Sequence, residues 1–441
     1  MELFELSAVA ATQLIRDGQL TSEDLVRACL KRIDELEPSV QAWAHLDREY
    51  ALQQARNADE AQREGKALGP LHGVPVGIKD IFDTRDMPTE DGTVLHAGRQ
   101  PLYDSKVVAL LRETGAIILG KTVTTELAVY GPGKTHNPHD QNRTPGGSSS
   151  GSAAAVAAQM MPLAVGTQTN GSTIRPASYC GVVGFKPTRG LISRTGVLHQ
   201  SWHLDQVGVF ARSIEDVALL AEALMAFDED DPDMRPRARP KLREAAMQEP
   251  PLPPDLAFAK TPAWSQADAD TQEAFAELAE HLGDRITEVQ LPQPFDHAVT
   301  WHRTIMEADL ARSFAREYDK GKDQLSTTLI EMIERGRSIL ATHYNHSVDQ
   351  IAMLNELLDD IFDKYDVILT PATTGEASIG VGSTGSPIFC TIWTFCGAPA
   401  ITLPLLQGSN GMPIGVQLVA PRGDDARLLR TASWLTQAVK E

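Results

Sequence analysis

A lysine set inside an apolar run and two serine-bearing loops of small residues are the parts of this chain whose types and spacing could do chemistry. The run Gly73-Val-Pro-Val-Gly-Ile-Lys79-Asp-Ile-Phe82 is short and bounded by glycine, which suits a strand better than a helix. A lysine among apolar residues loses solvation, so its pKa falls and it becomes able to take a proton near neutral pH. Thr144-Pro-Gly-Gly-Ser-Ser-Ser-Gly-Ser-Ala-Ala-Ala-Val-Ala-Ala158 feeds a loop into an alanine-rich helix. Its glycines allow close backbone approach to a ligand, and hydroxyls at a helix start can cap it or act on a bound group. By composition alone a flexible loop with a serine cap is the plainer alternative. In Gly166-Thr-Gln-Thr-Asn-Gly-Ser172-Thr-Ile-Arg175-Pro-Ala-Ser-Tyr-Cys-Gly181, Gly171 before Ser172 lets consecutive N–H groups converge on one point, as an oxyanion hole requires. A polar loop is the alternative there. Their conjunction is what points to a serine nucleophile with a lysine base, an established variant of triad logic.

Other chemistries fit less well. Gly147-Ser-Ser149-Ser-Gly151 matches the GxSxG nucleophile elbow, but the preceding Pro138-His-Asp-Gln-Asn-Arg-Thr-Pro145 is polar and proline-broken where the elbow needs a buried strand. Gly133-Lys134-Thr135 resembles the end of a P-loop, yet Ala128 stands where its first glycine belongs, and Asn137-Pro138 stops the helix that should follow. There is no HExxH and no GxGxxG after a strand, and neither His136 with His139 nor His343 with His346 has acidic or thiol partners at ligand spacing. No metal and no cofactor are expected.

The elements that must position these loops alternate between helix and strand. Thr21 caps an amphipathic helix through Leu25, Val26, Cys29, Leu30, Ile33 and Leu36, and Pro38 is expected to end it. A helical stretch at 107–113 precedes a buried strand at 116–120, and an alanine-rich helix at 152–159 precedes an apolar run at 163–166. Helices at 214–225, 348–362 and 424–438 and strands at 367–370, 400–403 and 415–419 complete an α/β layered pattern. The stretch 228–254, rich in Pro, Asp, Glu and Arg, reads as a surface insertion in a single domain over 1–441, because sheet-like strands lie on both sides of it.

Composition sets the background. With 42% hydrophobic and 22% charged residues the chain is an ordinary globular protein, not a disordered or disulfide-dense one. The charge sum 40 − 59 = −19 repels phosphate backbones, and the basic cluster Arg235 to Arg243 is interrupted by Pro236 and Pro240, so no nucleic-acid contact is expected. The four cysteines are scattered without CxxC pairs, no window approaches the ~18 apolar residues of a membrane span, and the N-terminus lacks a secretory signal. A soluble, cytoplasmic protein away from membranes is the expectation.

The segments quoted resemble the amidase signature family, and the likeness extends to Gly120-Lys-Thr with Glu126-Leu-Ala, Gly181-Val-Val-Gly-Phe-Lys-Pro-Thr188, Leu204-Asp-Gln-Val-Gly208, Tyr365-Asp-Val-Ile-Leu-Thr-Pro371, Gly397-Ala-Pro-Ala400 and Pro413-Ile-Gly-Val-Gln417. Only about 228–360 lacks recognisable motifs. The resemblance implies an α/β amidase signature fold, a central mixed β-sheet flanked by helices on both faces, and a Ser-Ser-Lys triad. Ser172 would be the nucleophile, Ser148 the bridging serine after a cis peptide bond, and Lys79 the general base, with N–H groups of Thr169, Asn170, Gly171 and Ser172 as the oxyanion hole. Two departures stand out: Gln168 where many members carry Asp, and Asn170-Gly171-Ser172 where many carry Gly-Gly-Ser. Arg175, three residues after the nucleophile, would bind a substrate carboxylate or anchor its own loop, and Tyr130 in Tyr130-Gly-Pro-Gly133 is a candidate for the pocket rim. Apolar and aromatic residues at 301–344 and 387–395 would line a pocket or pack the core.

The leading expectation is a stand-alone amidase cleaving C–N bonds of amides, with carbamates (urethanes) as an alternative, since the same attack on an sp² carbonyl releases an amine. Its partners would be a small-molecule amide or carbamate substrate, with a homodimer as a possible assembly. The other reading is the catalytic subunit of a tRNA-dependent amidotransferase, with partner subunits and a route for ammonia. A non-enzymatic scaffold is disfavoured by the intact triad positions.

Overall fold

Eleven strands organise residues 2–440, the part of the chain that the computed structural model describes. They are β1 (Trp43–Leu46), β2 (Pro75–Lys79), β3 (Ile117–Thr122), β4 (Leu163–Gln168), β5 (Val183–Lys186), β6 (Gln206–Ala211), β7 (Leu256–Ala259), β8 (Ile286–Val289), β9 (Val367–Pro371), β10 (Ala400–Gln407) and β11 (Pro413–Val419). They form one sheet in the order β1-β3-β2-β4-β6-β5-β10-β11-β9-β7-β8. β2 runs parallel to β3 and β4, and β7 parallel to β8 and β9, while every pair from β4 across to β9 and the β1 edge are antiparallel. The sheet is therefore mixed, as expected. Every residue of β2 to β6 is buried, so helices and loops cover both faces there, and the strands read as near-continuous apolar runs rather than alternating ones.

Parallel neighbours β2 and β4 end at the same edge. Val76, Gly77 and Ile78 pair with Leu163, Ala164 and Val165, which sets Lys79 beside the last turn-ward residues of β4. The helix Ser150–Ala157 packs on both strands and on β3, and its small residues are what the space allows. A Cβ on Gly151 would lie 2.3 Å from the carbonyl oxygen of Ala42 and 2.4 Å from the amide nitrogen of Val123.

Local differences from the sequence reading have identifiable causes. The helix expected to stop at Pro38 runs Ser22–Val40 and ends with Gln41 in the left-handed region. The Glu37 carboxylate accepts from the amides of Ala42 and Trp43, which fixes the exit without help from the proline. Strands β1 and β5 to β8 escaped notice; β1, β5, β7 and β8 have only four residues each, and β6, though six residues long, was read only as part of a motif.

Within 228–254, residues 235–241 are mostly exposed, but the segment is tied down at both ends. Leu242 and Ala246 are buried where the helix Leu242–Ala246 meets the helices Ile214–Leu224 and Asp425–Ala438. At the other end Arg194 holds Asp231 through two side-chain pairs of 2.7 and 3.0 Å, with both side chains at most 3% exposed. The same guanidinium donates to the Trp202 and Asp205 carbonyls. Removing one member of a buried pair strands the other charge, so Arg194→Ala should cost about 3–5 kcal/mol, read as a lower urea midpoint with an unchanged slope.

Candidate active site

The ends of β2 and β4 bring a buried amine onto two hydroxyls. Lys79 is fully buried, and its Nζ donates to Ser148 Oγ at 2.7 Å and to Thr167 Oγ1 at 2.8 Å. Among the described residues no carboxylate lies within ion-pair distance of it. Burial holds its pKa well below the ordinary lysine value; the carboxylate of Asp205 works against this and the Arg175 guanidinium adds to it.

The serine triple is held by its own hydroxyls. Ser149 Oγ meets the amide and carbonyl of Thr167 at 3.3 Å each, and Ser152 Oγ donates to the Val165 carbonyl at 2.9 Å, locking the helix start against β4. Ser148 is buried, and the Gly147–Ser148 peptide bond is cis. Arg175, also buried, spends its guanidinium on main chain: Nε and Nη2 donate to the Gly147 carbonyl at 3.2 and 2.6 Å, and Nη1 to the Gly385 carbonyl at 2.8 Å. It does not line the neighbouring cavity; its charge sits over the Tyr130 ring at 5.9 Å.

Ser172 follows the turn after β4. The amides of Asn170, Gly171 and Ser172 donate to no acceptor among the described residues, while Gln168 Oε1 takes the next two, from Thr173 and Ile174 at 2.9 and 3.0 Å. Gln168 thus serves as the acceptor that aligns this turn, and its Nε2 donates to Thr394 Oγ1 at 2.9 Å. Thr169 Oγ1 donates to Asp205 at 2.6 Å. The Asn170 side chain is held from two sides, its Nδ2 donating to Tyr130 Oη at 3.0 Å and its Oδ1 accepting from Thr391 Oγ1 at 2.7 Å. A Cβ on Gly171 would lie 2.9 Å from Pro387, so the turn needs glycine for room. No hydrogen bond joins Ser148 to Ser172 in this arrangement.

A cavity of about 340 Å³ opens beside the turn, walled by the helices Ala298–Ser313 and Thr327–Arg337, by Tyr130 and Asn170, and by Ser386 to Thr391. Its charged lining is Arg303, Glu307 and Arg335; Arg335 holds Glu307 at 2.7 Å, whereas no carboxylate among the described residues pairs with Arg303. Two cavities of about 370 and 390 Å³ touch neither the turn nor the serine loop. Among the described residues no three His, Cys, Asp or Glu side chains gather as a metal would need, all four cysteines are unpaired and buried, and no helix is long and apolar enough to cross a membrane.

Sequence reasoning brought Lys79, Ser148, Ser172, Thr169, Asn170, Gly171, Tyr130 and Arg175 to one region, and the fold does gather them. It missed Thr167, Asp205, His302, Thr391 and Thr394. Asp205 lay inside a quoted motif, but nothing in the sequence marks His302, a lone histidine in a motif-free stretch.

A buried lysine on serine at the ends of parallel strands, within a mixed sheet of this size, is the framework of a hydrolase. The chain belongs to the amidase family, whose model it matches over residues 24–429. It is similar to a glutamyl-tRNA(Gln) amidotransferase subunit of Chloroflexus aggregans, with 33% identity covering 97% of this chain and 95% of that protein. Among solved structures it resembles the peptide amidase of Stenotrophomonas maltophilia, with TM-score 0.87, 28% identity and coverage of 99% and 97%. It also resembles a structure of a vestigial protein complex that bears on the origins of an s-triazine catabolic enzyme, with TM-score 0.92, 25% identity and 98% coverage of both chains.

The relatives correct one expectation. A small-molecule amide or carbamate as the sole partner, with nucleic acid excluded, does not stand against whole-length similarity to subunits of an enzyme directed at glutamyl-tRNA(Gln). The inference from a charge of −19 failed because net charge describes one chain, and a subunit can serve a tRNA-directed assembly whose phosphate contacts lie on another chain.

Protonation of Lys79 should register in stability. Its folded pKa is depressed, so between that value and 10.5 the unfolded chain binds the extra proton and stability rises with pH. Comparing Lys79→Met with the natural chain by urea unfolding at pH 6 to 10, the balance should shift toward the natural chain as pH rises. A constant difference would mean that Lys79 is protonated in both states.

Proposed function

We propose that this chain is the amide-cleaving subunit of a tRNA-dependent amidotransferase, releasing ammonia from a primary amide through an acyl-enzyme on Ser172. The observation that carries the chemistry is Lys79, buried without a counter-charge and 2.7 Å from Ser148 Oγ. Whole-length identity to the Chloroflexus amidotransferase protein supports the assembly. Neutral Lys79 takes a proton from Ser148 as Ser148 takes one from Ser172 Oγ, which bonds to the acyl carbon. Rotation of the Ser172 side chain into reach of Ser148, about 2.6–3.2 Å, completes the relay when substrate binds. The oxyanion is held by the unpaired amides of Asn170, Gly171 and Ser172, with Thr169 beside them. Collapse breaks the C–N bond, the relayed proton leaves with the nitrogen, and water cleaves the ester by the same path, restoring the Ser172 hydroxyl. The four unpaired cysteines are compatible with work in a reducing cytoplasm.

A second reading, a stand-alone hydrolase of linear amides, is favoured by the likeness to the Stenotrophomonas peptide amidase. Carbamate cleavage rests only on the shared attack at an sp² carbonyl.

Ammonia release from glutamine and from benzamide separates these readings. Release from glutamine that depends on partner subunits, ATP and glutamyl-tRNA supports the first; partner-free turnover of benzamide supports the second. In either case Ser172→Ala and Lys79→Met should lower kcat/KM by at least about 10³-fold. The base must be neutral, so kcat/KM should rise with pH and level off well below the 10.5 of an ordinary lysine. A rise that continues to pH 10.5 would count against Lys79 as the base.

A further inference from the structure

Each of the three amides of the turn that find no acceptor among the described residues shares a peptide plane with a carbonyl that is held by a named donor. In a trans peptide the C=O and N–H of one plane point in opposite directions, so fixing the oxygen aims the hydrogen. The Thr169 carbonyl accepts from His302 Nε2 at 2.9 Å, and that plane carries the Asn170 amide. The Asn170 carbonyl accepts from Thr394 Oγ1, and that plane carries the Gly171 amide. The Gly171 carbonyl accepts from the Arg175 amide at 2.9 Å, and that plane carries the Ser172 amide. One of the three clamps, Arg175, lies within a quoted motif, and Thr394 lies between two of them. The third, His302, comes from the helix Ala298–Ser313, which has none.

We infer that His302 is a positioning residue for the oxyanion turn: its Nε2–H fixes the Thr169 carbonyl and so aims the Asn170 amide at the substrate oxygen. The ring is 1% exposed and lines the 340 Å³ cavity, so the wall that receives the substrate also sets the turn. A carbonyl can only accept, so the proton sits on Nε2 and Nδ1 is the bare nitrogen. Burial keeps the ring neutral, with its pKa lowered to about 4, and one tautomer therefore serves across the working range. The inference rests on Ser172 as the nucleophile.

Fluorophosphonate labelling tests it without knowledge of the natural amide, because the phosphonyl oxygen must enter the same hole. The rate constant for labelling Ser172, with the site mapped by mass spectrometry, should fall by about 30-fold in His302→Leu. It should return to within about 3-fold of the natural chain in His302→Gln, whose terminal N–H reaches the same carbonyl. Thermal midpoints of both variants separate this from loss of fold; if His302→Leu does not fold, His302→Asn, too short to reach, replaces it. Labelling of Ser172 that is unchanged in His302→Leu, or reduced equally in His302→Leu and His302→Gln, overturns the inference and leaves the serine reading intact. Labelling of the natural chain at another residue overturns both.

Discussion

The site depends on keeping an amine dry without giving it a counter-ion. Three lysines are fully buried among the described residues, and their partners differ. Lys121 meets the Asp80 carboxylate at 3.0 Å, together with Thr89 and two carbonyls, a set that suits an ammonium. Lys186 meets the carbonyls of Pro187 and Ala398 and the Gln206 side chain, and burial lowers its pKa to about 7. Lys79 meets only two hydroxyls. A charge moved into such surroundings is expensive, and the cheaper outcome is loss of the proton. Burial alone is common to all three; the absence of carboxylates and carbonyls around Lys79, among the described residues, makes it the one suited to accept a proton.

Much of the surrounding structure follows from that constraint. A buried amine is left without a counter-ion only where its walls contribute no carboxylate, and the serine loop supplies such walls with glycine, alanine and hydroxyls that bond to the main chain of β3, β4 and their ends. Arg175 contributes differently. It cannot lose its proton in a protein, so its buried charge, held on two main-chain carbonyls, both grips the Gly147–Ser148 peptide and disfavours a second cation at Lys79. Packing and electrostatics are thus joined in one side chain.

How much of this could be read in the sequence depends on where the chemistry is encoded. Lys79 and Ser172 were legible through the conjunction of a cation in an apolar run, a serine-rich helix start and a glycine before a serine, each of which has an ordinary alternative alone, and Ser148 was singled out from its triple only by the family resemblance. The α/β alternation was legible for most of the buried elements and not for the four-residue strands β1, β5, β7 and β8, which are too short for a pattern to show, nor for β6, whose glycine and glutamine interrupt its apolar run. Contacts between distant segments left no trace. Thr394 and His302 lie more than a hundred residues from the turn they hold, and a histidine or threonine on a helix has no local signature. Net charge misled about partners because it is a property of the chain, whereas recognition of tRNA is a property of an assembly.

The lysine and serines and the walls of the neighbouring cavity come from different parts of the chain, joined where His302 meets the Thr169 carbonyl. Strands β2 and β4 and the loops that follow them carry Lys79, the serines and the turn 169–172, all within the part of the chain rich in family motifs. The cavity walls come largely from the helices Ala298–Ser313 and Thr327–Arg337, where such motifs are absent. There Arg335 holds Glu307 at 2.7 Å, while among the described residues no carboxylate pairs with Arg303. Helices that pack on a finished sheet can change such residues without disturbing the lysine, and this is how one catalytic framework can be similar both to a peptide amidase and to one chain of a tRNA-directed enzyme.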